Sequence, residues 1–290
     1  MKNVGDILRR SFQQWQVHQP KQQKTSFLPT IMTRLSPFFP INKCQMKFDF
    51  ITEPIIIENP WGKIIVRNRK LYIYDETVLL SLLMLLKKYG SNTFQITPYE
   101  LCKLMNVNPA RDTYNAIMKS LYRMCEAHIT IEKKVPRSND AQTEMDGSII
   151  TGITQNEESR KMILELNSYL LSSFRDRSIT RIDIRLRSDL HGEISKALYR
   201  FYEGQHLNIC TTNILKLSQV INIGCDEKMY FLRRKFRKAM HELETGGYLR
   251  RFILPYKGEV VAVFKSRNRF LNNYIYDFRH GNINKEVAKT

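Results

Sequence analysis

TFQITPYELCKLMNVNPARDTYNAIMKSLYRMCEA, residues 93–127, carries in order a short strand, a helix start, a break and a second helix. Thr93 to Ile96 alternate as a strand. Thr97, Pro98 and Glu100 then supply a capping hydroxyl, a proline at the first helical position and a carboxylate placed to take the cap's own amide. Leu101, Leu104 and Met105 give this helix one apolar face, and Asn106 to Pro109 break it. The second helix runs from about Ala110 to Ala127 with Tyr114, Ile117, Leu121, Met124 and Cys125 inward at three- and four-residue spacings.

Upstream, Lys63 to Tyr74 reads as strand or hairpin. Asp75 is expected to N-cap a helix that is apolar nearly all round from Val78 to Leu86 and stops at Gly90. Downstream, Ile129–Lys134 reads as a strand, and a polar segment from Pro136 to Gly147 separates it from Ile149–Thr154 and Lys161–Leu166. Strand, turn and strand after a helix-turn-helix is the layout of a wing. A short helix over Ser168–Phe174 and an alternating strand over Arg181–Leu186 close this unit.

The same order of elements then recurs. Ser188 is expected to start a helix with Ile194, Ala197, Leu198 and Phe201 inward, ending at Gly204. A strand over His206–Cys210 follows, then a helix capped by Thr211 or Thr212 and carrying Ile214, Leu215, Leu217 and Val220. Asn222 to Asp226 make a turn, and a long helix over Glu227–Glu244 buries Leu232, Phe236, Ala239, Met240 and Leu243. Gly246 and Gly247 stop it before a hairpin made of Tyr248–Leu254 and Glu259–Lys265. Leu101 lies 20 residues before Leu121 and Leu215 lies 21 before Phe236, so the repeat extends to spacing. The expected fold is α+β: two tandem winged-helix domains with β-hairpin wings, at 51–187 (with an inserted hairpin segment) and 188–267. A Gln- and Pro-rich N-terminal extension, 1–50, precedes them, and a C-terminal tail, 268–290, follows.

Composition narrows the function. With 46 Lys and Arg against 28 Asp and Glu, the formal charge is +18 and the pI about 9.7, an excess that favours a polyanionic partner. Val78–Leu86 falls well short of the roughly 20 residues a membrane-spanning helix needs. Met1 to Arg10 contains no apolar stretch of signal-peptide length, and the five cysteines form no CxxC pair, so a reducing cytoplasm is expected.

Catalysis is not expected. The six histidines form no HxH or HxxxH pair, no GxxxxGK[ST] loop occurs, and Asp183 and Glu193 read as surface charges balancing Arg181, Arg185 and Arg187. No cofactor or metal is expected either. What the second helices offer instead is side chains suited to DNA. Opposite Ile117, Leu121 and Met124 lie Asp112, Asn115, Lys119, Tyr122 and Arg123; opposite Leu232, Phe236 and Leu243 lie Tyr230, Arg234, Arg237, Lys238 and His241, preceded by Lys228. From Lys228 to Arg251 eight Lys or Arg stand against only Glu242 and Glu244. Arginine suits guanine or phosphate, asparagine suits adenine, and tyrosine can donate to phosphate. Asn115, Lys119, Tyr122, Arg123, Lys228, Tyr230, Arg234, Arg237, Lys238 and His241 are therefore the candidate DNA-binding residues.

Two stretches resemble a known family. Asp75–Glu132, with ITPYELCKLM, and Arg187–Leu254, with LRSDLHGEISKALYRFYEG and FRKAMHELETGGYLRRFIL, resemble the TrfA type of plasmid replication initiator and the wider class of two-winged-helix Rep proteins. They cover somewhat under half of the chain. The resemblance implies binding to direct repeats at a plasmid origin, help in opening the adjacent duplex, recruitment of the host replicative helicase and initiator protein, and a monomer–dimer equilibrium. It also makes Gln23–Leu28 a candidate sliding-clamp motif. A transcriptional regulator reading one operator, or an RNA-associated protein using its charge nonspecifically, are the alternatives the pattern leaves open.

Overall fold

A computed structural model describes residues 25–40, 49–134, 141–155, 161–205, 207–223, 227–255 and 259–266. The first described segment is woven into the body. Strand β1 (Thr25–Pro29), helix α1 (Thr30–Arg34) and strand β2 (Phe38–Phe39) bury Leu28, Met32, Leu35 and Phe38 completely. Strands β3 (Phe50–Asn59) and β4 (Gly62–Arg69) form an antiparallel hairpin, and β5 (Leu71–Tyr72) pairs in parallel with β2. Helix α2 (Ile73–Tyr89) then runs through the middle of the core, as its apolar run requires. It begins at Ile73, two residues before the expected cap: Asp75 sits one turn inside and reaches back to accept from the Tyr72 amide at 2.8 Å. A carboxylate satisfies an orphan amide from either position, which is why sequence misplaces the start. Gly90 ends the helix in the left-handed region, at φ 64°.

The helix-turn-helix follows as expected. Strand β6 (Thr93–Ile96) leads into α3 (Pro98–Met105), where Thr97 and Glu100 form the reciprocal cap, and Asn106 closes it at φ 59°. Helix α4 (Arg111–Glu126) comes next. The strand after it, β7 (His128–Lys134), departs from expectation by leaving the wing altogether. It pairs with β4 and with β8 (Ala141–Gly147), giving a sheet of order β3-β4-β7-β8. β8 lies in the polar segment read as a separator. Met145 is the apolar residue it buries, opposite Ile131, so alternation had little to report. The wing is instead β9 (Ile150–Gln155) with β10 (Met162–Leu166), completed by β6 in the order β6-β10-β9.

Helix α5 (Ser168–Arg175) and strand β11 (Ile179–Asp183) follow, and β11 pairs antiparallel with β1. The strand expected to reach Leu186 stops at Asp183, whose carboxylate accepts from the Arg185 and Leu186 amides and starts α6 (Ile184–Asp189). Asp183 is thus a cap and not a balancing surface charge. The helix expected from Ser188 is broken by Leu190 to Gly192 and begins as α7 (Glu193–Glu203), where Glu193 pairs with Lys196 at 3.5 Å. The repeat continues with β12 (Ile209–Asn213), α8 (Ile214–Val220), α9 (Met229–Thr245), β13 (Leu249–Ile253) and β14 (Val260–Lys265), in a sheet of order β12-β14-β13. The side chain that caps α8 is Asn213, accepting from Leu215, in place of Thr211 or Thr212. Each unit is therefore built round one strand, a helix-turn-helix and a two-stranded wing that closes a three-stranded sheet, with α2 or α7 in front of them. The fold is two winged helices in tandem.

The two units share one hydrophobic core. Across it lies a fully buried ionic group: Glu76 of α2 meets Arg187 of α6 at 3.2 Å and Arg200 of α7 more closely still. Arg187, expected at the surface, is 1% exposed. The turn between β3 and β4 and the first segment complete the junction. Trp61 packs edge-on against Phe201 at 6.2 Å, and Asn222 donates to the Ser36 and Phe38 carbonyls at 2.7 and 3.1 Å.

Candidate nucleic-acid interface

The apolar stripe of α4 dictates what its other side can present. Ile117, Leu121 and Met124 have no solvent exposure, which turns Arg111, Asp112, Asn115, Lys119, Tyr122 and Glu126 outward. Asn115, Lys119 and Tyr122 thus share one exposed face, with Tyr122 49% accessible. Arg123 does not belong to it. One residue is 100° of rotation, enough to swing this guanidinium towards α2, where it grips Asp75 with Nε at 3.1 Å and Nη2 at 2.5 Å and lies 3.8 Å from Asp49. Its side chain is only 11% exposed. The sequence did hold a clue, since an aspartate buried at the start of an apolar helix demands a cation.

Helix α9 carries a more one-sided face. With Leu232, Phe236, Met240 and Leu243 buried, the exposed residues are Tyr230, Phe231, Arg234, Arg237, Lys238 and His241, and Lys228 sits exposed just before the helix. They recur at helical spacing and include no carboxylate. Lys235 stands aside, paired with Glu227. His241 stacks edge-on against Phe252 of the wing strand at 4.9 Å and lies 3.5 Å from Glu244. Periodicity missed Phe231, 49% exposed and edge-on to Tyr230 at 5.5 Å, because an aromatic beside Leu232 reads as core. Leu215 of α8 is likewise 36% exposed, beside exposed Lys216 and Gln219.

Each unit thus shows the same element to solvent: the second helix of a helix-turn-helix, its polar face outward and a wing alongside. Residues 64–203 match the model of a protein family described as Initiator Replication protein, WH1. Just under half of the chain thus carries the pattern of replication initiators. The matched stretch runs from β4 to the last residue of α7. Two crystal structures of domains 2 and 3 of RctB resemble this chain in fold across both units. One has a TM-score of 0.57 at 9% identity, covering 83% of this chain and 99% of that one. The other has 0.52 at 11%, covering 81% and 96%. A crystal structure of Pi initiator protein in complex with iteron DNA aligns with a TM-score of 0.48 at 13% identity over 68% of this chain and 92% of that one. No curated protein matches the sequence.

Among its described residues the chain holds no group of three or more His, Cys, Asp or Glu arranged to bind a metal. Nor is any described helix long and apolar enough to cross a membrane. The wing tips, 156–160 and 256–258, lie outside the described residues, as do Gln23 and Lys24 of the clamp candidate. The rest of that candidate, Thr25–Leu28, is committed to β1, with Leu28 wholly buried and the strand paired along β11. A clamp would have to strip this strand from the core to read it, so the structure does not support an exposed clamp motif there.

Proposed function

We propose that this initiator acts by binding double-stranded DNA with direct repeats at a plasmid origin, laying α4 and α9 into successive major grooves on one side of the duplex. The observation that carries this reading is the exposed face of α9, where Lys228, Arg234, Arg237 and Lys238 stand without an exposed carboxylate and Tyr230 and His241 interleave with them. A merely solvated face mixes its charges, as that of α4 does with Arg111 and Lys119 against Asp112 and Glu126. In this reading α9 supplies most of the affinity through phosphate and guanine contacts, while Asn115 reads a base and Lys119 and Tyr122 hold phosphates beside it. The working domains are 51–187 and 188–267. Opening of the adjacent duplex and recruitment of the host helicase and initiator protein follow in the cytoplasm, without catalysis by this chain, in keeping with the replication-initiator family.

Two grooves one helical turn apart place the contacts about 10 base pairs from one another. Footprinting on cloned origin repeats tests this: protection over about two turns is expected, and protection confined to one turn overturns the tandem-groove arrangement. Magnesium-dependent nicking or ATP hydrolysis by the pure protein, abolished by a single carboxylate substitution, would overturn the non-enzymatic reading.

A further inference from the structure

The angle at which a reading helix meets DNA is set by what holds its inward side, and in both units a charged side chain does so in the same place. Helix α7 begins at Gly192, which has no side chain to cap the helix. The missing acceptor comes from α9. Glu242 accepts from the His191 amide, from the Gly192 amide at 3.0 and 3.2 Å, and from the Ser195 hydroxyl. A Cβ at 192 would lie 2.7 Å from the Glu242 carboxylate and 2.8 Å from the Ser195 hydroxyl, so a larger residue there displaces the two side chains that make this contact. Glu242 is the immediate neighbour of His241, so one residue faces outward with the basic stripe and the next grips the core. The first unit has a counterpart in an ion pair. Arg123, adjoining exposed Tyr122, reaches from α4 to Asp75 in the first turn of α2. In each case a charged side chain near the end of the reading helix ties it to the start of the first helix of its own unit.

We propose that Glu242, and in the first unit Arg123, are positioning residues for sequence recognition: they fix the tilt and axial setting of α9 and α4 against the core. This rests on the DNA-binding reading above. Neither residue touches DNA in this arrangement; each acts through the side chains beside it.

Glu242 offers a test in which positioning and simple electrostatics have opposite signs. Removing a carboxylate from a protein of charge +18 lowers repulsion towards phosphate, so electrostatics alone predicts tighter binding to any duplex. Positioning predicts that Glu242→Gln keeps or raises affinity for random DNA while losing about tenfold or more on the preferred repeat, the scale of one charge-assisted contact. Equal gains on both duplexes, or an unchanged preference, would overturn the proposal. So would parallel losses on both, which would mark the contact as structural only. Amide exchange in the free protein provides a readout independent of DNA: His191 and Gly192 should exchange faster in Glu242→Gln than in the wild type, and unchanged exchange refutes the cap. If the wild type itself shows no preferred duplex, the DNA-binding reading has failed while the exchange result still stands. In the first unit, Asp75→Asn alters a residue that is buried and cannot reach DNA. Lost discrimination at the Asn115 position in that variant supports positioning; discrimination kept there but lost in Arg123→Lys shows instead that Arg123 reads DNA directly.

Discussion

Arg234 and Asn115 are both exposed on the second helix of a helix-turn-helix, yet under the proposed DNA binding their removal should leave different traces. Arg234→Ala is expected to cost about 1–3 kcal/mol on the preferred duplex and to relax preference at one position if the guanidinium reads a base; an even loss across sequences would assign it to phosphate. Asn115→Ala should weaken discrimination one turn away and leave the salt dependence unchanged, since a neutral side chain displaces no counterion. Glu242 adds a pH effect. Partial burial pushes its carboxyl upward, but the hydrogen bonds from Ser195, Gly192 and His191 outweigh this and hold it below the ordinary glutamate range. A depressed folded-state value means the stabilisation is complete above the unfolded value of about 4.3 and disappears as pH falls through the folded value. Thermal melts should therefore show Glu242→Gln less stable than wild type near neutrality, with the gap closing in acid; a gap independent of pH would contradict this. Of these side chains, the exposed ones were legible because apolar spacing fixes the opposite face. Arg123 and Glu242 were not, because their partners Asp75 and Gly192 lie 48 and 50 residues away, beyond any local period.

At the scale of elements, what could be read was what has a strong period or a strong cap. The pair α3 and α4 follows from Thr97, Glu100 and the Leu101-to-Met124 spacing, and α9 from Leu232, Phe236 and Leu243. β8 was illegible because a strand that buries little beyond Met145 carries no alternation, and pairing with β7 is a tertiary fact. The segment from Thr25 to Phe39 was hidden differently. Its Gln- and Pro-rich surroundings suggest an extension, yet Leu28, Met32, Leu35 and Phe38 supply side chains to a core made by residues far along the chain. Leu28→Ala should accordingly cost about 2–5 kcal/mol, as a buried leucine does. The denaturant midpoint measures it, and a negligible shift would mean that β1 does not contribute to the folded core.

The whole molecule combines a long-range field with one tightly shared interior. Its charge of +18 should make affinity fall steeply with salt, at a slope of about 0.9 in log–log terms per phosphate neutralised; a nearly flat titration would rule out phosphate-dominated binding. Inside, Glu76 is the carboxylate that both Arg187 and Arg200 share. Replacing it with alanine leaves two buried cations facing each other, and loss of about 3–5 kcal/mol is expected on chemical denaturation, with both units melting together. That arrangement also bears on how such initiators can recombine. Wings and reading helices are surface parts that could be traded between replicons to change which repeat is recognised, but a crossover between Tyr89 and Arg187 would inherit the acid from one parent and its two bases from the other. Unless the second parent carries the same three residues, the chimaera begins life with an unmatched charge at its centre. Exchange of origin specificity should therefore proceed by grafting outward faces onto an intact interior, and halves joined from dissimilar initiators should be recovered chiefly as insoluble protein.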